Sequence, residues 1–445
     1  MKKIFTLFAI TLLLTGSVIF YFLVNRNNNV PEIPEFSLRN DSNISAEYLQ
    51  AYHSFEYYRD KIKKNPNDVK NYVALAQIFI QESRVTGRHH EFLPKAELLL
   101  KEALEIDPGN FDAQVTKASI LMTLHQFAEA KKIIKPLVKD HPYSAAAYGV
   151  LVDAEVELGE YENAVISCDK MLSIRPDLRS YSRASYLREL YGRNDDAIKA
   201  MMLAANAGVT GQENRAWTLY QLGNLLLNKG KLDSAEFIFN GTLEERQNYA
   251  YALSGLSDVM AAKKNYTKAV ELIVKATQVT PDHIFIEKLG DLYKAMGAKE
   301  NESELNGKIL DALKQHKEDG YDVDLEYAIY FSNHNIYLPE ALEHAEREYN
   351  RRPNNIDALD AYAWALHKNG KSSEAVQYIE RAMRLNTKRA VLHYHAAEIY
   401  RAINNNQMAL KYLKKAFEEN PYINPLYADS ARNMLNYLEG FVSIK

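Results

Sequence analysis

The sequence predicts an all-α solenoid, a stack of repeated helix–turn–helix units. The main observation is the stretch from residue 111 to residue 178, which divides into two 34-residue halves, Phe111–Ser144 and Ala145–Leu178. When the halves are aligned, small residues coincide, and Pro142 and Pro176 close them at the same place. Glycine and proline number only 18 and 13 in 445 residues, which suits a chain of long helices.

Alanine at the centre of each second helix measures the repeat along the chain. A small side chain is needed there because the two helices of a unit pack closest at that point. Nine alanines hold this place: Ala96, Ala130, Ala164, Ala197, Ala235, Ala269, Ala341, Ala375 and Ala409. Their spacing is 33 to 38 residues except for one interval of 72, so a degenerate unit is predicted near 284–315. About ten helix pairs are expected in all.

The predicted organisation has six parts. In order they are a signal anchor or transmembrane helix (1–24), a flexible tether (25–45), an N-terminal repeat lobe (46–206), a joint (207–213), a C-terminal repeat lobe (214–423), and a capping helix with a tail (424–445). The tether is rich in asparagine and contains Pro31 and Pro34, which disfavour regular structure. The joint is placed where the alanine spacing widens to 38, and the cap covers the last apolar face.

The N-terminal prediction depends on Ile4–Val24, 21 residues without a charge. As a helix this stretch would span about 30 Å, the thickness of a bilayer's hydrocarbon core. Lys2 and Lys3 precede it and Arg26 alone follows closely, so the N-terminus should stay cytoplasmic and the repeats should be extracytoplasmic, periplasmic in a Gram-negative cell. The alternative is a cleaved signal peptide, which would leave the repeats secreted or periplasmic.

The unit resembles the tetratricopeptide repeat (TPR), with its W-x2-L-G-x2-Y, A-x3-F, A and P pattern. The fifth unit matches best through Gly223, Ala235 and Phe239, although Leu219 replaces the tryptophan. The resemblance covers about 46–440, and parts of it are also similar to membrane-linked bacterial repeat proteins. It implies a right-handed superhelix whose first helices line a concave groove, which in this family usually binds peptides or proteins.

In such a superhelix, positions 2, 5, 9 and 12 of each first helix would face the groove. From Trp217 onward these positions mix aromatic, amide and acidic side chains, which suit an extended peptide, and the acids favour a basic one. The alternative is that the tyrosines only pack helices together and the acids face solvent. The predicted protein-binding residues are Trp217, Tyr220, Asn224, Tyr251, Asp258, Asp291, Glu326, Tyr330, Asn333, Asp360, Trp364, His367, Tyr394 and Glu398.

No pattern in the sequence indicates a catalytic, cofactor-binding or metal site. The single cysteine, Cys168, excludes an internal disulfide and a cysteine-rich metal site. His393 and His395 are two residues apart, so they would diverge on a helix. There is no glycine-rich phosphate loop or nucleophile elbow. The net charge of −4 argues against nucleic acid as the main ligand.

The predicted function is that of a non-enzymatic, membrane-tethered scaffold or adaptor that binds a protein or an extended peptide in its groove. One alternative is an accessory or regulatory subunit of a membrane or envelope enzyme complex. Another is an enzyme whose site has no recognisable motif. The sequence identifies neither the partner nor the pathway nor the oligomeric state.

Overall fold

The computed structural model describes residues 32–39, 46–280 and 282–443. They form twenty-two α-helices and a short 3-10 turn, without any β-strand. The helices are α1 (Ala46–Lys64), α2 (Val69–Thr86), α3 (His89–Ile106), α4 (Phe111–Thr123), α5 (Phe127–Asp140), α6 (Ala145–Glu157), α7 (Tyr161–Ile174), α8 (Leu178–Leu190), α9 (Asn194–Asn206), α10 (Glu213–Asn228), α11 (Leu232–Glu245), α12 (Ala250–Ala262), α13 (Tyr266–Val279), α14 (His283–Met296), α15 (Lys299–Glu318), α16 (Asp324–His334), α17 (Leu338–Arg351), α18 (Ile356–Lys368), α19 (Ser372–Ala382), α20 (Ala390–Ala402), α21 (Asn406–Glu419) and α22 (Ala428–Ser443).

Apart from α1 and α22, the helices form ten consecutive pairs, in which the even-numbered helix comes first. The most extensive helix–helix contacts join the two members of a pair. The predicted all-α solenoid is thereby confirmed. Within the described residues, no helix combines the length and the apolar character that a membrane crossing requires. The predicted span Ile4–Val24 lies outside the residues that the structure describes.

The alanines that measure the repeat are all fully buried in second helices, as predicted. In eight of the nine, the alanine is the fourth residue of its helix, which fixes the register of the pair. The degenerate unit is the pair α14 and α15, where Glu302 is the fourth residue. Its carboxylate oxygen Oε1 lies 3.0 Å from Nδ1 of the buried His334, in the next first helix. A polar contact therefore replaces the close packing at this position.

The chain divides into two compact units, unit 1 (Met1–Lys117) and unit 2 (Ala118–Lys445). In unit 1 the described residues 32–39 form no regular secondary structure and lie against α1, α2 and α3. These eight residues fall within the predicted tether. The lobe boundary at 207–213 stays a prediction, and within unit 2 helices α9 and α10 pack against each other across residues 207–212.

In unit 2, inter-helix loops almost 200 residues apart contact one another. Nδ1 of His125 lies 3.0 Å from the carbonyl oxygen of Asp322, a separation of 197 residues. Nη1 of Arg352 donates to Oε2 of Glu157 at 2.5 Å across 195 residues. The amide of Ile356 donates to the hydroxyl of Tyr161 at 3.0 Å, again across 195 residues. We call these loop–loop contacts the seam, since they join successive turns of the unit 2 superhelix.

The seam also has an apolar part. Ile356 and Leu385 are buried in one cluster with Val152, Val156 and Tyr161, which belong to α6 and α7. Burial of apolar surface contributes roughly 25 cal/mol per Å². Unit 2 is therefore stabilised by contacts between distant repeats as well as between neighbouring ones, which limits how far its inner face can open.

Candidate functional site

The first helices form the inner face of unit 2. Consecutive first helices contact one another, as in α6 with α8, α10 with α12, α16 with α18, and α18 with α20. Among the described residues, no second helix makes comparable contact with the next second helix. In a curved stack, elements at the smaller radius come closer together. The predicted binding residues all lie on first helices.

An aromatic ladder, made by Tyr220, Tyr251 and Phe285, crosses three consecutive first helices. The ring centroids of Tyr220 and Tyr251 are 5.4 Å apart, and those of Tyr251 and Phe285 are 5.3 Å apart. Phe285 is fully buried, whereas Tyr220 and Tyr251 are partly exposed. Trp217 and Asn224, three residues before and four residues after Tyr220, are also partly exposed and share its face of α10. Four predicted binding residues thus form one accessible surface.

Two glycines bring the helices of this surface together. The ring of Phe239, from α11, lies between Gly223 of α10 and Gly255 of α12. A Cβ atom would lie 2.3 Å from that ring at Gly223 and 2.4 Å from it at Gly255. Both helices can therefore approach Phe239 because neither has a side chain there. This contact sets the spacing at which Tyr220 and Tyr251 meet.

Charged pairs connect neighbouring first helices on the same face. Nζ of Lys288 is 2.5 Å from Oδ2 of Asp258 and donates to Oγ of Ser254 at 3.0 Å. An equivalent pair joins Arg183 and Asp153 at 2.5 Å. Burial acts to lower the pKa of the Lys288 ammonium, but the Asp258 carboxylate outweighs it and the pKa is raised. Asp258, a predicted site residue, is thus already paired with a cation.

The structure brings Asn333, Asp360 and Trp364 together near the C-terminal end of unit 2. Oδ1 of Asn333 accepts hydrogen bonds from Nε1 of Trp364 at 3.0 Å and from the hydroxyl of Tyr427 at 2.7 Å. The Trp364 ring stacks on His395 at 4.0 Å, and Nδ1 of His395 lies 2.9 Å from Oδ1 of Asp360. Tyr427 just precedes α22, so this network connects the inner face to the capping helix.

Other predicted residues of this region are also held by neighbours. Tyr330, Tyr394 and Glu398 are buried, and the Tyr394 hydroxyl donates to Oε1 of Glu398 at 3.0 Å. His367 stacks on Trp364 with ring centroids 5.0 Å apart, and burial lowers its pKa to about 4. Tyr394 and Glu398 thus bond to each other and are buried, whereas the side chains of Tyr220 and Tyr251 are partly exposed.

Acids and histidines gather where the start of unit 2 meets α14 and α16. Nδ1 of His125 is 3.6 Å from Oε1 of Glu326. Within the described residues, the buried atoms Oε1 of Glu287 and Oε2 of Glu326 have no hydrogen-bond partner. Burial raises the pKa of Glu287 to about 8; His283 acts against this shift, and Asp291 and Glu326 add to it. The sequence placed Glu326 and Asp291 on the inner face but not His125, which belongs to a loop of the seam.

The raised pKa of Glu287 predicts a pH-dependent stability. A carboxyl group whose pKa is higher in the folded than in the unfolded state contributes stability below its unfolded pKa, and this contribution is lost as pH rises through about 8. Glu287→Gln should therefore raise the free energy of unfolding at pH 8.5 by on the order of 2 kcal/mol, after a discount for solvent screening, and much less at pH 5. Urea titrations at the two pH values measure the difference.

The control for this pH effect is Glu343→Gln, which removes an exposed carboxylate from α17. We expect it to change the free energy of unfolding by less than about 0.5 kcal/mol at both pH values. A gain from Glu287→Gln that is the same at pH 5 and pH 8.5 would contradict the explanation by ionisation.

No group of three or more histidine, cysteine, aspartate or glutamate side chains in the described part of the chain has the arrangement of a metal site. The free thiol of Cys168 is buried, and burial raises its pKa to about 11. A thiol in this state is a poor nucleophile at neutral pH.

Comparison with known proteins identifies the repeats. Family models described as tetratricopeptide repeat match residues 93–150, 145–178, 356–389 and 390–422. These stretches are similar to tetratricopeptide repeats, and the matched models indicate no enzyme family.

Curated relatives share this repeat character at low identity. The antiviral innate immune response effector IFIT1 of Homo sapiens is 23% identical over 285 residues, which are 60% of this chain and 53% of the relative. Tetratricopeptide repeat protein 21B of Xenopus laevis is 24% identical over 270 residues, 55% of this chain and 20% of the relative. The chain thus spans about half of the first relative and a fifth of the second.

Among solved structures, the human IFIT1 dimer with PPP-AAAA is similar at 13% identity, covering 85% of this chain and 91% of that one, with a TM-score of 0.43. The APC/C hetero-tetramer Cut9–Hcn1 is similar at 12% identity, covering 88% of this chain and 94% of that one, with a TM-score of 0.39.

Proposed function

We propose that this protein is a non-enzymatic scaffold that binds an extended peptide or protein segment on the inner face of unit 2. The observation that carries the proposal is the partly exposed surface of Trp217, Tyr220, Asn224 and Tyr251. Aromatic side chains of this kind dominate the energetics of protein interfaces. The stacked helix pairs of unit 2 supply the scaffold on which they are held.

The chemistry of this surface favours an extended backbone as the ligand. The rings of Tyr220 and Tyr251 lie side by side across two helices and offer apolar faces to side chains. The amide of Asn224 offers both a donor and an acceptor to peptide groups. Acids on the first helices favour a partner with lysine or arginine, and Asp291 lies on α14, the next first helix along the ladder.

The double variant Trp217→Ala/Tyr251→Ala tests this function. We expect it to weaken capture of the partner by about tenfold or more, because a single aromatic hot-spot residue of an interface contributes about 2 kcal/mol or more, and about 1.4 kcal/mol already corresponds to tenfold. The measurement is quantitative affinity purification from membrane and soluble fractions, with partner recovery compared between variant and wild type.

A matched control removes two exposed aromatic side chains outside this surface. Phe237, on α11, and Tyr143, in the loop before α6, are 77% and 80% exposed. Phe237→Ala/Tyr143→Ala should leave partner recovery unchanged. If Trp217→Ala/Tyr251→Ala keeps its helical circular dichroism and recovers every partner at the wild-type level, the proposed binding surface is wrong.

We also propose that residues 1–24 tether the scaffold to a membrane, with the repeats on the extracytoplasmic side. The support is the uncharged run Ile4–Val24. We expect the full-length protein to stay in the membrane pellet after alkaline carbonate extraction, and its release into the supernatant would contradict the tether. An accessory subunit of an envelope enzyme complex is the alternative, distinguished by co-purification of one enzyme at fixed stoichiometry.

A further inference from the structure

Residues 32–39 of unit 1 lie across three helices in the manner of a bound peptide. We call these eight residues the cis segment. The Phe36 ring packs between α1 and α2, with its centroid 5.2 Å from that of Phe55 and 6.4 Å from that of Phe79. Tyr48 and Tyr52 complete this aromatic pocket at 6.1 and 5.9 Å from Phe36. The pocket thus contacts one large side chain of the segment from several directions.

Three residues after Phe36, Arg39 enters an acidic pocket. Its guanidinium donates twice to the Glu82 carboxylate, from Nε to Oε2 at 2.8 Å and from Nη2 to Oε1 at 2.5 Å. It also donates to Oε2 of Glu47 at 3.1 Å. Glu82 is 0% exposed, so its carboxylate would be buried and unneutralised without a cation. Two parallel bonds of this kind select arginine over lysine.

The backbone of the cis segment is held by side chains of the helices. Nζ of Lys95 donates to the carbonyl oxygen of Glu35 at 3.0 Å and to Oγ of Ser37 at 2.8 Å. Nη1 of Arg88 donates to the carbonyl oxygen of Leu38 at 2.8 Å. Among the described residues, no backbone–backbone hydrogen bond joins the segment to a helix. Contacts to carbonyl groups are available from any extended peptide, so the specificity lies in Phe36 and Arg39.

The helices α2 and α3 of unit 1 share a core that does not include the cis segment. Leu75, Ala96 and Leu100 are buried between α2 and α3. By contrast, no residue of 32–39 is buried as a whole, although the Arg39 side chain is only 7% exposed, and Leu38 is 68% exposed. The segment therefore lies on a surface that the helices build by themselves.

We propose that unit 1 carries a second peptide-binding site, which the chain's own residues 32–39 fill, and that this site accepts in trans an extended partner peptide with an aromatic residue followed three positions later by arginine. A partner peptide would displace the cis segment and take over the Glu82 carboxylate and the aromatic pocket. The site rests on unit 1 alone and is independent of the surface around Tyr220 and Tyr251.

The first test uses the full chain with the double change Phe36→Ala/Arg39→Ala, which weakens the cis segment. The probe is a fluorescein-labelled synthetic peptide with the sequence of residues 32–39, and fluorescence anisotropy measures its binding. We expect the double variant to bind the probe at least about tenfold more tightly than wild type, because a segment within the same chain competes at a high effective concentration.

The second test asks whether the acidic pocket is the recognition element. Adding Glu82→Gln to the double variant should weaken probe binding about tenfold or more, because it removes charge-assisted bonds to the probe's arginine. Glu97→Gln, which neutralises an exposed carboxylate on α3, is the matched control and should leave binding unchanged. Replacing the arginine of the probe by lysine should also weaken binding.

The third test follows displacement in a chain that keeps Phe36 and Arg39. Leu38→Cys places a thiol at an exposed position, and it can be labelled selectively because Cys168 is 2% exposed. Excess unlabelled probe should release the segment and lower the anisotropy of the label. Full retention of the label's anisotropy, together with no probe binding by the folded Phe36→Ala/Arg39→Ala variant, would show that the segment is a fixed part of unit 1.

Gel filtration provides the last criterion. A dimer that forms by exchange of residues 32–39 between two copies, and that excludes the probe, would overturn the partner-peptide proposal. Trp217→Ala/Tyr251→Ala should leave probe binding unchanged, so that failure of the unit 2 function and failure of this site can be told apart.

Discussion

Replacing Arg352 by alanine is expected to lower the free energy of unfolding by about 3–5 kcal/mol, because it leaves the Glu157 carboxylate without its cation and removes one of the two arginines that pair with the buried Glu348. Arg352 is 5% exposed; its Nε donates to Oε1 of the buried Glu348 at 2.6 Å, and its Nη1 donates to Oε2 of Glu157 at 2.5 Å. The guanidinium also lies 4.9 Å from the ring centroid of Phe127. Glu348, Glu157 and Phe127 would all lose a contact, and Glu157 and Phe127 lie across the seam from Arg352.

The neighbouring Arg351 is the control for this prediction. It also pairs with Glu348, at 2.6 Å, and with Asp324, at 2.8 Å, but its side chain is 37% exposed. Arg351→Ala should therefore cost about 1 kcal/mol or less, as exposed ion pairs usually do. Urea unfolding followed by the fluorescence of Trp217 and Trp364 measures both variants. Equal losses would mean that the Arg352 network contributes no more than an exposed ion pair.

The fold could be predicted from the sequence because its period depends on local packing. Each alanine that measures the repeat faces a helix next to it in the chain, and a larger side chain would separate the two helices. All nine alanines are buried accordingly. Even the degenerate unit was located, because Glu302 interrupts the series at a countable position. The spacing of the alanines can therefore be recognised within one repeat of about 34 residues.

The seam could not be predicted in the same way. Glu157 and Arg352 are 195 residues apart, and which loops meet depends on the small rotation between neighbouring repeats, summed over several of them. Each residue alone has the character of an ordinary polar loop residue. His125 illustrates the consequence, since its contact with Glu326 follows from the pitch of the superhelix and from no local pattern.

The sequence predicted which helices carry the candidate residues, but it did not predict how exposed their side chains are. All fourteen predicted residues lie on first helices, and their role in binding stays a prediction. Helical spacing could not show that Tyr394 and Glu398 pair with each other, or that Asp258 pairs with Lys288. Those pairings depend on the neighbouring helix and on the cap. The same limit applies to unit 1, where the contact between Arg39 and Glu82 spans 43 residues.

Gly159→Ala is the second change with a large expected effect, a loss of about 3 kcal/mol or more in the free energy of unfolding. Gly159 lies in the loop between α6 and α7 with a φ of +75°, and a Cβ atom there would be 2.2 Å from the carbonyl carbon of Asn354. The opposing atom belongs to backbone, so no side-chain rotation relieves the overlap. The loops at 159 and 354 would have to separate, which would open this part of the seam.

Gly370→Ala separates the two causes of that loss, which are the left-handed backbone conformation and the overlap with the Asn354 backbone. Gly370 occupies the corresponding loop between α18 and α19 with a φ of +77°, and a Cβ atom there would meet nothing within 4 Å. Its variant should lose only the cost of a left-handed conformation, about 1–2 kcal/mol. Because both glycines have nearly the same backbone conformation, subtracting the two losses isolates the loop–loop contact. A difference near zero in urea titrations would show that the seam at Gly159 is open in solution.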